Sequence, residues 1–161
     1  MLVVLELSDD LLRLEPGQIV YLSPLRSCPV AGTWAITVPL VPFSAADRFD
    51  PATFRPGTEG PEIIKAAIVG EFIDLPGNDL AALTERTFDF PINPHPGCID
   101  ASIYLGGGHN PVDITRMEFG AARSQYVDVV LHAAFDFTQE GVEIANRSAV
   151  FHANLQFERL D

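Results

Sequence analysis

The run SQYVDVVLHAAFDFTQEGVEIANRSAVFHANLQFERLD, residues 124–161, is where the architecture is written most plainly. Apolar residues fall at every second position in Val127, Val129, Leu131, Ala133, Phe135 and Phe137. After Gln139-Glu140-Gly141 the same beat returns in Ala149, Phe151, Ala153, Leu155 and Phe157. Strand side chains point to alternate faces, so a period of two predicts strands with one buried face. The pair is expected to fold back as a long antiparallel hairpin and to form the spine of the core.

Upstream, Ile99, Ala101, Ile103 and Leu105 alternate with Asp100, Ser102 and Tyr104, a strand with one wet face. A loop at Gly106–Pro111 follows, and Val112 and Ile114 restart the pattern. The phase then slips to Met117 and Phe119, which predicts a bulge near Thr115–Arg116. Three consecutive hairpin connections make a meander. Ile63 to Asp74 is apolar on both sides and rich in β-branched residues, which points to a central strand, with Gly70 as a bulge or close approach. Trp34, Ile36 and Val38 alternate within Thr33–Val38, and Gln18–Leu22 and Leu2–Leu7 suit short strands.

Helix signals are few. Ser8-Asp9-Asp10 suits a cap for Leu11–Leu14, Asn78 or Asp79 for Leu80–Arg86, and Ser44 for a turn through Arg48, with Asp50-Pro51 as another start. Eight of the 13 prolines lie between Pro16 and Pro61, so about 39–61 is expected to be a long surface loop. Strands never alternate with long helices, so a parallel sheet is not expected. The expected fold is one domain over residues 1–161: an antiparallel β-sandwich or strongly bent sheet, with a C-terminal meander and one or two short peripheral helices.

Composition narrows the function. The 161 residues are 47% hydrophobic, which suits a packed core. Acidic residues outnumber basic ones 22 to 10, for a net charge of −12, and Lys65 is the single lysine. That field repels nucleic acid and anionic membrane surfaces and favours a basic protein, a cationic ligand or a metal ion. No run approaches the roughly 18–20 apolar residues of a membrane helix. Met1–Glu6 lacks a basic n-region, so no signal peptide is expected and a cytoplasmic setting is. Cys28 and Cys98 are then expected to be reduced.

Three constellations carry candidate chemistry. His109, Asn110, Asp113 and Arg116 cluster around the glycine loop and suit a small ligand. The triple glycine lacks the Gly-Lys-Ser/Thr of a phosphate loop, and turn geometry alone accounts for it. His132, His152 and Asp136 fall on the polar face of the hairpin, where a register near 132 opposite 152 makes a divalent metal site. A longer connecting loop moves that register by two. His95 and Cys98 form a weaker third set, and aromatics Trp34, Phe43, Phe49 and Phe54 suit either an aromatic surface or pins for the proline-rich loop.

No nucleophile elbow or zinc motif is present, so no catalytic residue is assigned. The expected function is a protein-binding module, inhibitor or immunity-like, that meets a basic partner through its acidic surface. A ligand- or metal-dependent enzyme and a structural homodimer are the alternatives.

Overall fold

Strand formation follows the period of two almost everywhere in the computed structural model, which describes residues 7–24, 32–44, 63–105, 108–141 and 144–160. The strands are β1 (Gly17–Leu22), β2 (Thr33–Pro39), β3 (Phe43–Ser44), β4 (Ile63–Ile64), β5 (Ala67–Ile73), β6 (Thr87–Asp89), β7 (Asp100–Leu105), β8 (Gly108–Arg123), β9 (Tyr126–Phe135) and β10 (Arg147–Leu160).

The C-terminal hairpin forms as the alternation requires. β9 and β10 run antiparallel, with Leu131 opposite Phe151 and Val129 opposite Ala153. Val127, Val129, Leu131, Phe135, Phe151 and Leu155 are all buried, and Phe135 meets Phe151 edge-on at 5.9 Å. Each such side chain contributes about 1.5–3 kcal/mol by leaving water. β7, β8, β9 and β10 make the expected meander.

The sandwich expectation is corrected by closure. The order β8-β7-β5-β2-β1-β10-β9 returns to β8, because β8 pairs with β9 on its other edge. Seven strands thus form a closed barrel, a sheet bent until it has no free edge. Two features allow it. β8 is 16 residues long and irregular at Ile114/Arg116 and Phe119/Ala122, and bulges bend a strand. The first of these lies at the expected Thr115–Arg116, so Ile114 and Met117 both face inward. The second feature is β1, which pairs with β10 in parallel, from Gly17–Leu155 to Leu22–Leu160. That parallel pair was not expected; it joins segments more than a hundred residues apart, which local pattern cannot reveal. β6 extends the sheet beyond β7 along the same edge of β8.

The interior is filled with side chains. Ile19, Trp34, Ile36, Val38, Ile68, Ile73 and Ile103 are essentially inaccessible. Gly17 and Gly70 are tight: a Cβ on Gly17 would lie 2.3 Å from the Thr37 carbonyl oxygen, and one on Gly70 3.2 Å from Ile36 Cγ1. Gly70 is therefore the expected close approach, and the bulge in β5 lies just beyond it. Trp34 faces Ile73 and Ile36 faces Gly70, so Ala35 alone opposes both Glu71 and Phe72. That extra residue accounts for the adjacent apolar pair at the end of the Ile63–Asp74 run, with Phe72 outward and Ile73 inward, while Ile63 and Val69 remain apolar on the outer face.

The helices are shorter than expected. Residues 8–12 make two turn bonds, Leu11 N to Ser8 O and Leu12 N to Asp9 O, and Leu14 then bridges to Leu40. Leu7, Leu11 and Leu12 are buried over the barrel end where β10 begins, and the Arg147 guanidinium donates to Leu7 O. Asp79 does cap a helix, but only a single 3-10 turn, Leu80–Ala82. Barrel contacts then take the chain over: Glu85 N donates to Gly120 O, and Ala122 N donates to Thr84 Oγ1. The expected strand at Leu2–Leu7 lies, except for Leu7, outside the described residues, as do Cys28, Phe49, Phe54, the turns at 45–51 and most of the proline-rich loop. No helix among the described residues is long and apolar enough to cross a membrane.

Candidate functional site

Strand alternation separates the first candidate set. Asn110 is fully buried and faces the barrel interior, while His109, Asp113 and Arg116 face outward. Asn110 Nδ2 donates to the carbonyls of Ile103, Leu105 and Gly108 at 3.2, 2.9 and 3.0 Å. It therefore ties the ends of the β7–β8 connection together, and its Oδ1 has no partner among the described residues. His109 packs on the Tyr104 ring at 4.8 Å. Asp113 lies four residues on, about 13 Å along an extended strand. Its carboxylate accepts from Asn93 N at 3.0 Å and holds the 90–98 link against β8. Arg116 pairs with Glu118 at 2.9 Å and Asp89 at 3.6 Å. The four residues do not converge on one point.

The second set is displaced by the register. His132 stands opposite Val150 and His152 opposite Val130, a shift of two that pairs Phe135 with Arg147 and leaves a connection two residues shorter than a 132–152 register would. The two arms of the connection are tied together by Asn146, whose Oδ1 accepts from Phe137 N at 2.7 Å. Asp136 is engaged there too. It accepts from the Thr138 hydroxyl at 2.6 Å and from Thr138 N, Asn146 and Gln139. These bonds, the Thr138 hydroxyl foremost, hold its pKa below the ordinary 3.8, against a smaller opposing effect of burial. His132 Nε2 lies 3.4 Å from Glu118 Oε1, close enough for an ion pair but not aligned for a hydrogen bond. Among the described residues no three His, Cys, Asp or Glu side chains gather as metal ligands do. His95 is exposed beside half-buried Cys98 in a turn where Cys98 N donates to His95 O.

The exterior of the barrel instead divides into two unlike surfaces. Across β8, β9 and β10 it is charged, with Asp113, Arg116, Glu118, Asp128, His132 and Glu158 facing out. A groove of about 730 Å³ runs there, between exposed Ile92 and the Asp9–Leu12 turn, over His132, Ala134, Ser148 and Val150. Arg147 joins its wall, paired with Asp9 at 2.6 Å. Across β2, β5 and β7 the outward positions Thr33, Ala35, Thr37, Pro39, Ala67, Val69, Ser102 and Tyr104 are uncharged, and the charged ones, Glu71 and Asp100, lie together at one end. Val69 and Tyr104 are 37% and 47% exposed.

At one end of this uncharged face sits the β5 bulge. Glu71 is directly opposite Asp100, a like-charge pair of the kind that destabilises a sheet. Beside them Phe72 is 63% exposed with φ of 54°, a conformation rare for a bulky side chain. Glu71, Asp74 and Asp100 have no ion-pair partner among the described residues. Pattern analysis missed this place. The available signal was the adjacent pair Phe72-Ile73, which breaks the period of two as Thr115-Arg116 does in β8.

No family model matches the chain, and no curated protein or solved structure matches it. The chemistry of these surfaces therefore rests on their own residues.

Proposed function

We propose that this chain is a binding module for a basic protein partner, of the inhibitor or immunity-like kind. One observation carries the proposal: Glu71, Asp74 and Asp100, carboxylates with no ion-pair partner among the described residues, stand beside a sheet face that carries no other charge there, in a chain of net charge −12. Complementary charge steers encounter and rejects partners of the wrong sign, and an uncharged centre with a charged rim is the usual anatomy of a protein interface. The dispersal of His109, Asp113 and Arg116 removes support from a ligand site at the glycine loop.

The test is capture of partners from the source cell at low and at raised salt, with the native chain and with one whose exposed Asp and Glu are neutralised. A basic partner retained at low salt and released by either treatment is the expected result. Retention indifferent to both refutes the proposal.

A second reading has its own observation, the groove over β9 and β10. Its volume falls in the range of small-molecule sites, and Arg147, His132, Thr115 and Ser148 supply polar contacts. A small anionic ligand would sit there; the metal expected at His132, His152 and Asp136 finds no such cluster among the described residues. Elemental analysis without metal, and no ligand-induced NMR shifts that His132→Ala removes, would set this reading aside.

A further inference from the structure

We infer that the basic partner docks on the outer face of β2, β5 and β7, with Phe72 as its anchor. This inference rests on the function proposed above and names the place where it acts. Val69, Tyr104 and Phe72 give that face its exposed apolar surface, and among the described residues no charged side chain interrupts it between Pro39 and Ser102. Hot spots of binding are typically aromatic side chains surrounded by groups that exclude water. Phe72 suits the role. The bulge delivers it outward beside Glu71, in a left-handed backbone conformation that glycine adopts without strain and phenylalanine does not. The bulge that carries Ile73 into the core leaves this aromatic exposed, and contact with a partner would put it to use.

Charge selects the occupant. Glu71, Asp74 and Asp100 ring the anchor, and Lys65 is roughly 20 Å of extended chain away at 3.3 Å per residue. A second copy of this chain would bring its own −12 and leave these carboxylates unneutralised. A surface that presents arginine or lysine around an aromatic or branched aliphatic side chain satisfies both the apolar centre and the acidic edge.

The experiment uses the full chain and a phage-displayed random-peptide library as the probe. Expected are enriched peptides that combine Arg or Lys with an aromatic or branched apolar residue. Phe72→Gly, which the local backbone accommodates, should weaken the selected peptides by about tenfold or more. Glu71→Lys with Asp100→Lys should do the same and abolish the salt dependence, while Gln156→Ala on the opposite surface should leave binding unchanged. Circular dichroism and urea midpoints of each variant establish that the barrel persists.

Basic peptides whose binding ignores Phe72→Gly and the charge reversal would overturn the docking face and leave the basic-partner function standing. Enrichment of peptides without basic residues, or of none, would overturn both. Concentration-dependent dimerisation lost in Phe72→Gly would assign the face to a second copy and overturn the inference.

Discussion

Replacing Phe72 by glycine and by alanine should give the reverse of the stability order normal for a strand. At an ordinary strand position glycine is worse than alanine by about 0.5–1 kcal/mol, because its unfolded chain has more freedom to lose. At φ of 54° the sign changes. A residue with a Cβ pays roughly 1–2 kcal/mol in the left-handed region, and glycine does not. The difference leaves Phe72→Gly more stable than Phe72→Ala by about 0.5–1 kcal/mol. Both variants lose the same ring. With 63% of Phe72 exposed, that ring has about a third of its surface out of water. The loss is then at most about 2 kcal/mol, taking roughly 200 Å² for a fully buried aromatic at about 25 cal/mol/Å². Strain relief offsets much of this, so Phe72→Gly should stay within about 1 kcal/mol of the native chain. Urea titrations at matched m-values measure the order, with Val69→Gly and Val69→Ala on the same strand as the normal case. If Phe72→Ala equals or exceeds Phe72→Gly, the bulge does not hold this residue as described, and its use as an anchor fails with it.

Other outcomes test the barrel and its details. Asn110→Leu should cost at least about 2 kcal/mol, because it strands the carbonyls of Ile103, Leu105 and Gly108; chemical denaturation measures it, with faster amide exchange at the β7–β8 end. Gly17→Ala should cost about 1–3 kcal/mol, since the new methyl meets Thr37 O at 2.3 Å and β1 must move where the barrel closes. Phe151→Ala should cost about 3–5 kcal/mol, because the ring is 4% exposed at the centre of the C-terminal hairpin. Asp136→Asn should lower stability at neutral pH by weakening the turn that Thr138 and Asn146 complete. The native aspartate has a lowered folded-state pKa, so its contribution is present above 3.8 and lost as pH falls through the folded value; the gap between native and variant melting temperatures should close below pH 3.8.

Much of the framework was legible because it is local. Alternation named the buried residues of β7, β9 and β10, and the phase slip located the bulge of β8 at Thr115–Arg116. These are consequences of the period of two, which neighbouring residues carry between them. The candidate sites were not legible to the same degree. His132 and His152 lie on the outer face as expected, yet their register depends on the length of the connection that Asn146 ties together. Asn110 counted as a ligand by residue type, and strand parity put it inside. Closure was beyond any local signal: it requires Gly17–Leu22 to find Leu155–Leu160 in parallel, and neither segment marks the other as its partner. The outward turn of Phe72 follows in the same way, because an extra residue in β5 has meaning only against the single residue of β2 that opposes it. A strand's own sequence says which side of it is greasy; which strands lie beside it, and so what the other side faces, is settled only when the ring of hydrogen bonds is complete.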